Sequence, residues 1–231
     1  MKFLFAMIFV LSSSLSAWGG WIPSNELRKE IIDAMYDNDD REAVYQLLQS
    51  NLKRGMDVES PGSRTKMSLL ANFATIEWYL VDRRDEGRTF TDWDQKIFDL
   101  LLQYGADVNY SWLRPSQTRT NILLATIDQR NLEMVKMLIK AGANPKVSFS
   151  ADNFNLRRNV LVGPIVRYDG EMFSYLLPLT NFPINEIDYC SAADGAFMVP
   201  DRWSREVAYT IIRPAFKDYD LHKCKKLLGL E

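Results

Sequence analysis

The chain has 231 residues, of which 47% are hydrophobic and 25% are charged, a composition typical of a globular protein with a substantial buried core. Its 28 basic and 30 acidic residues nearly balance, so it has neither the basic excess of a nucleic-acid-binding protein nor an acidic tail. We therefore expect no nucleic-acid partner.

The first 20 residues, MKFLFAMIFVLSSSLSAWGG, have the pattern of a secretory signal peptide. A positive charge at Lys2 precedes nine apolar residues, and small residues follow at Ser16 and Ala17. So short an apolar stretch disfavours the alternative of an uncleaved N-terminal membrane anchor. We predict a cleaved signal peptide over residues 1–19 and a periplasmic or secreted protein, with no membrane insertion after cleavage.

Four segments then end an apolar helical pattern with a glycine or an asparagine. They are AVYQLLQSNLKRGMDVE with Gly55, IFDLLLQYGADVN with Gly105, MVKMLIKAGANPK with Gly142, and MFSYLLPLTNFPIN with Asn181. The position directly after a helix often takes a left-handed conformation, which Gly and Asn reach at the lowest steric cost. The four positions lie 50, 37 and 39 residues apart, which indicates an internal repeat.

The pattern resembles the ankyrin-repeat family, whose unit of about 33 residues is a turn followed by two helices. In the copy with Gly142, TNILLAT resembles the family's Thr-Pro-Leu-His first-helix motif, and NLEMVKMLIKAGAN resembles its second helix. The copies with Gly55 and Asn181 are degenerate, and the first helices in KMSLLANFATIEWYL and RRNVLVGPIV lack the Thr-Pro-Leu-His motif.

The resemblance implies an all-α ankyrin-repeat solenoid of stacked helix-turn-helix units over residues 24–231. We expect about four repeats plus a C-terminal capping helix pair, because a solenoid needs a polar outer face at its ends. An unrelated array of helical hairpins is the alternative.

Three segments between the predicted repeats are longer than in typical family members: ESPGSRTK, NYSWLRPSQTR and KVSFSADNFNLRR. The resemblance implies that they form fingers that bind a partner together with the concave face. Aromatic residues and arginines dominate the energetics of interfaces. The predicted partner-binding residues are therefore Tyr110, Trp112, Arg114, Phe149, Phe154, Arg157 and Arg158. Local packing of the aromatic rings beneath the fingers is the alternative.

The 50-residue interval contains a charged insertion, VDRRDEGRTFTDWDQK, between the two helices of the second repeat. Insertions in solenoid proteins fall in loops, often on the binding face. Phe90 and Trp93 are therefore also candidate partner-binding residues, although packing over the ends of their own helices is slightly favoured.

The two cysteines, Cys190 and Cys224, are consistent with export, because an oxidising compartment allows a disulfide between them. Alternatively, Cys224 in DLHKCKKLLGL occupies a core-facing helix position as a small hydrophobic residue.

We expect no enzymatic activity, cofactor or metal. His222 is the single histidine, so a Ser-His-Asp triad would have to use it, and one His with two distant Cys lacks metal-ligand spacing. The carboxylate pairs Asp39–Asp40 and Asp218–Asp220 suit turns and helix caps, and the pair Asp92–Asp94 lies in the insertion.

The sequence therefore favours an exported, non-enzymatic protein–protein interaction module that is monomeric when free. A specific role is that of an immunity or inhibitor protein for a periplasmic toxin or enzyme. A secreted effector acting on host proteins and a scaffold of an envelope complex are the alternatives. The residues do not identify the partner protein.

Overall fold

The structure is a computed structural model that describes residues 22–37, 40–60, 66–75, 90–114, 118–150, 157–167, 169–180, 190 and 221–228. The predicted signal peptide, Asn181, Phe154 and most of the insertion lie outside the described residues.

Helices make up most of the described chain, which confirms the helical character predicted from the periodicity. The helices are α1 (Asn25–Asp37), α2 (Arg41–Lys53), α3 (Leu69–Ala74), α4 (Asp92–Gln103), α5 (Ile122–Asp128), α6 (Leu132–Lys140), α7 (Val162–Val166), α8 (Gly170–Thr180) and α9 (Leu221–Leu228). Two antiparallel hairpins, which the periodicity does not predict, pair β1 (Ser111–Leu113) with β2 (Arg119–Asn121) and β3 (Ser148–Ser150) with β4 (Arg157–Asn159).

The even-numbered helices α2, α4, α6 and α8 each begin after a capping side chain. Asp40, Thr91, Asn131 and Asp169 accept a hydrogen bond from the backbone N–H three residues further on. At α4 the carboxylate of Asp94 also accepts the N–H of Thr91, which completes a capping box. These caps fix where each connecting turn ends and the next helix begins.

The ends of α2, α4 and α6 share one geometry. Gly55, Gly105 and Gly142 have φ angles of 88°, 89° and 98°, in the left-handed region. In each case the glycine N–H donates to the carbonyl three residues back, and the next N–H donates to the carbonyl five residues back. This is a Schellman closure, and it confirms the predicted role of the three glycines.

The turns that follow these glycines repeat one set of hydrogen bonds. Asp57, Asp107 and Asn144 each accept, through Oδ1, the N–H two residues further on, at 2.9, 2.8 and 2.9 Å. Neighbouring turns are also joined, because Asp107 N–H donates to Glu59 Oε1 at 2.7 Å and Asn144 N–H donates to Asn109 Oδ1 at 2.9 Å. Side chains at equivalent positions therefore link each unit to the next.

The odd-numbered helices pack in chain order, α1 against α3, α3 against α5 and α5 against α7, while α2 packs against α4. Their core-facing side chains Ile31, Leu70, Leu123 and Ile165 are each exposed by 1% or less. Full burial of one such side chain contributes about 1.5–3 kcal/mol relative to leaving it in water. The buried core therefore continues from each odd-numbered helix to the next.

Cys190 and Cys224 form a disulfide, with their Cα atoms 5.0 Å apart. Cys224 lies in α9, and both side chains are buried. The two interpretations of Cys224, as a bridging and as a core-facing residue, are therefore compatible. In the described part of the chain, none of the helices combines the length and apolarity needed to cross a membrane.

Replacing Gly105 by Ala is expected to lower the free energy of unfolding by about 1–2 kcal/mol, because a Cβ disfavours the left-handed backbone. Open space surrounds the position, so no steric clash contributes. Gly105→Asn, the matched control, should cost less than half as much, because Asn tolerates this conformation. Urea denaturation of the three proteins measures the difference, and equal stability of the Ala and Asn variants would contradict the argument.

Glu59 links two units through a half-buried carboxylate. Oε1 accepts the Asp107 N–H, whereas Oε2 is buried and finds no hydrogen-bond partner among the described residues. Burial raises the pKa of Glu59 above its ordinary value, and the nearby charges of Asp107 and Asp57 raise it further, against the opposing effect of the Asp107 hydrogen bond. The folded state therefore disfavours the charged form of Glu59.

We expect Glu59→Gln to be more stable than the wild type at neutral pH, because the amide keeps the acceptor oxygen and removes a partly desolvated charge. A raised folded-state pKa means that this advantage is complete above that pKa and shrinks as the pH falls through it. Urea denaturation across the acidic to neutral range tests this. Glu59→Ala lacks the acceptor and should be the least stable of the three; a pH-independent gap between Gln variant and wild type would rule out the charge explanation.

Candidate functional site

The first hairpin places two of the predicted partner-binding aromatic residues against the chain itself. Trp112 in β1 is only 8% exposed and belongs to the core. Tyr110 is half-buried, with its ring stacked at 6.2 Å from that of Trp112 and its hydroxyl donating to the carbonyl of Lys66 at 2.8 Å. In the free chain both rings pack beneath the finger, as the alternative interpretation expects.

The other described aromatic candidates also contact neighbouring residues of the chain. Phe149 in β3 and Phe90 before α4 are half-buried and pack against the core. The ring of Trp93 lies 5.6 Å from that of Tyr45 in α2, and Lys96 Nζ lies 3.8 Å from its centroid. Trp93 thus packs against Tyr45 of the neighbouring helix α2, and Phe90 packs against the core. Neither Phe154 nor the side chain of Arg157 is among the described residues.

Two predicted arginines converge on one carboxylate at the end of α5. Arg114 Nη2 donates to Asp128 Oδ2 at 2.8 Å, and Arg158 Nη2 donates to the same oxygen. The three side chains are 17–23% exposed, so they are partly desolvated but still reach the surface. The structure therefore brings Arg114 and Arg158 together from two different hairpins.

Two further arginines that sequence reasoning missed adjoin this pair. Arg130 lies two residues after the end of α5 and donates through Nη2 to the carbonyl of Arg167, which directly follows α7. Both side chains are exposed. Helix α7 approaches α5 closely here, because a Cβ at Gly163 would lie 2.9 Å from Ile127 Cγ2 and 3.4 Å from Asp128 Oδ1.

We call these five residues the arginine cluster: Arg114, Asp128, Arg130, Arg158 and Arg167. The pKa of Arg158 is lowered to about 10, first by burial and then by the positive charges of Arg114 and Arg167. Burial also lowers the pKa of Arg114. Both guanidinium groups remain charged at neutral pH, so the cluster concentrates positive charge in a partly desolvated place.

A planar guanidinium with several N–H donors suits carboxylate and phosphate groups, so the chemistry available to this cluster is anion recognition. The described residues contain no group of three or more His, Cys, Asp or Glu side chains able to hold a metal ion. His222 is exposed on α9.

Asp128, Arg130 and Arg167 were missed because each looks like an ordinary helix-end residue. The sequence gives one indication of the cluster: Arg130 and Arg167 both follow the first helix of a predicted repeat. Residues at comparable positions of stacked units lie side by side, so this shared position indicates that Arg130 and Arg167 are neighbours.

No protein-family model matches the sequence, and no curated protein is significantly similar to it.

Replacing Trp112 by Ala is expected to lower the free energy of unfolding by about 3 kcal/mol, because it leaves a cavity in the core. Leu113, its neighbour in β1, is 42% exposed. Leu113→Ala is the matched control and should change stability by less than about 0.5 kcal/mol. Thermal and urea denaturation give both values. Similar small losses for the two variants would show that Trp112 does not stabilise the fold.

Proposed function

We propose that the chain is an ankyrin-type repeat solenoid that acts as a non-enzymatic protein-binding module. This proposal rests on a structural unit that recurs along the chain, a helix with a glycine closure and the turn that follows it. Three successive units end in a Schellman glycine at Gly55, Gly105 and Gly142, followed by the same side-chain-closed turn. Antiparallel hairpins separate the second unit from the third and the third from the helices α7 and α8.

A binding role follows from how such an arrangement distributes stability and variability. The stacked helices provide a rigid scaffold, while the hairpins project from it and tolerate changes of sequence and length. Leu113 on the first hairpin and Val166 on α7 are exposed by 42% and 38%, unusual for large apolar side chains in this structure. Exposed apolar side chains close to arginines form the kind of surface that protein partners bind.

Export is part of the proposal. The predicted signal peptide over residues 1–19 directs the chain across a membrane, and the disulfide between Cys190 and Cys224 is stable in an oxidising compartment. We therefore place the protein in the periplasm or among the secreted proteins.

Diverged units with long fingers suit one dedicated partner, as in an immunity or inhibitor protein that neutralises a periplasmic toxin or enzyme. The activity of the partner distinguishes this role from that of an envelope scaffold. A secreted effector acting on host proteins is a further candidate, and it would be recovered from the culture medium.

The test is a pull-down with the exported full chain as bait, from envelope and medium fractions of the organism that makes it. We expect one partner in nearly equal molar amount. The bait with Leu113→Glu and Val166→Glu should lose this partner, because charges replace two exposed apolar contacts. Ile22→Glu is the matched control, since Ile22 is 76% exposed and lies outside the hairpins.

Equal melting temperatures of the three baits show that any loss of the partner is a loss of contact. The absence of a stoichiometric partner in both fractions would contradict the proposed function. Retention of the partner by the double variant would place the binding surface elsewhere on the chain.

A further inference from the structure

The two hairpins are too short to hold their positions by themselves. Each pairs only three residues of one strand with three of the other, β1 with β2 and β3 with β4. A two-stranded hairpin without further packing is at best marginally stable in water. Strand β2 lies close to strand β3, so the hairpins are neighbours. Their positions therefore depend on contacts with the rest of the chain.

Each hairpin has contacts of its own with the rest of the chain. Buried Trp112 and the Tyr110 hydroxyl attach the first hairpin. In the second hairpin the ring of Phe149 packs against the core, and the buried Asn159 accepts the N–H of Leu161 through Oδ1 at 3.0 Å. These contacts attach each hairpin separately.

Asp128 contacts both hairpins at once. Arg114 directly follows β1 and Arg158 is the middle residue of β4, and both donate to Asp128 Oδ2. Helix α7 lies near the other carboxylate oxygen, because a Cβ at Gly163 would be 3.4 Å from Oδ1. One side chain at the end of α5 therefore bonds to both hairpins and lies close to α7.

These ion pairs contribute more to geometry than to stability. The three side chains are 17–23% exposed, and the cost of partly desolvating charges offsets much of their attraction. Hydrogen bonds between a guanidinium and a carboxylate are nevertheless directional, because the guanidinium donors point in fixed directions. Two such bonds to one oxygen restrict how far the hairpins can move relative to each other.

A partner that contacts both hairpins gains from this restriction. Ordering loops and side chains during association costs free energy, and a surface that is already in place avoids part of this cost. The exposed Leu113 is the backbone neighbour of Arg114, so holding Arg114 also limits the movement of Leu113.

We propose that Asp128 is a positioning residue of the partner-binding surface, whose carboxylate holds the two hairpins together so that a partner protein contacts them as one surface. This inference rests on the proposed function, because it names the residue that assembles the binding surface from both hairpins. Asp128 acts through Arg114 and Arg158 and does not itself contact the partner.

The first test follows amide hydrogen exchange of the free, full chain by mass spectrometry. Asp128→Asn keeps the size of the side chain and one acceptor oxygen but removes the charge that binds two guanidinium groups. We expect exchange about fivefold faster in β1 and β2 and in β3 and β4, because the hairpins open locally more often. Exchange in α3, whose residues are all buried, should not change.

Glu133→Gln is the matched control, since Glu133 pairs with Lys136 on the surface of α6. It should leave exchange in both hairpins as in the wild type. Unchanged exchange of the hairpins in Asp128→Asn would overturn the proposal. Faster exchange in α3 as well, with a lower melting temperature, would also overturn it, because Asp128 would then stabilise the whole fold.

The second test uses the partner recovered in the pull-down and isothermal titration calorimetry. Asp128→Asn should bind this partner about tenfold more weakly than the wild type, at a similar melting temperature. A double-mutant cycle with Leu113→Ala separates positioning from an independent contact. Leu113→Ala should weaken binding in the wild type and much less in the Asp128→Asn background, where Leu113 is no longer held in place.

Additive losses of affinity in this cycle would overturn the positioning role. Full retention of the partner by Asp128→Asn would overturn it too, while the protein-binding function would stand. If the pull-down recovers no partner, the proposed function itself fails and this inference fails with it.

Discussion

Helices α3 and α5, with six and seven residues, are too short to be stable alone and depend on being covered from several directions. All six residues of α3 and all but the last residue of α5 are buried. Helices of this length lack the cooperative gain that stabilises longer ones in water, so packing has to supply their stability. The hydrogen bonds from turn to turn, through Glu59 and Asn109, hold each unit at the distance at which this packing occurs.

The first hairpin combines packing and exposure in adjacent residues. Because successive strand residues point to opposite faces, Trp112 is buried while Leu113 is exposed. Burial of Trp112 anchors the finger to the helices. The ring of Tyr110 stacks on Trp112, and its hydroxyl donates to the carbonyl of Lys66. Because these two aromatic residues anchor the finger, they also hold the exposed Leu113 in place.

The arginine cluster contributes little net stability for the number of charges it contains. Partly burying charged groups costs free energy, and replacing buried ion pairs by apolar side chains is often neutral or favourable. Arginines that follow α5 and α7 do interact favourably with the negative ends of these helices, but that effect is small and screened by salt. Arg114 and Arg158 come from different hairpins and share Asp128 Oδ2, so this carboxylate joins both hairpins to the end of α5.

The sequence by itself determined the helical character, the left-handed glycines and the helix caps, because these depend on residues within a few positions of one another. Its periodicity located the helices, and GADVN and GANP located the turns. It also contained Arg114 and Arg158, but only as two of nine candidate partner-binding residues. Only the tertiary structure decided that Trp112 packs inward, that Cys190 meets Cys224, and that two arginines 44 positions apart share Asp128. The physical reason is that burial and charge pairing depend on which units stack beside each other. Residues that are close in the sequence do not determine which units become neighbours.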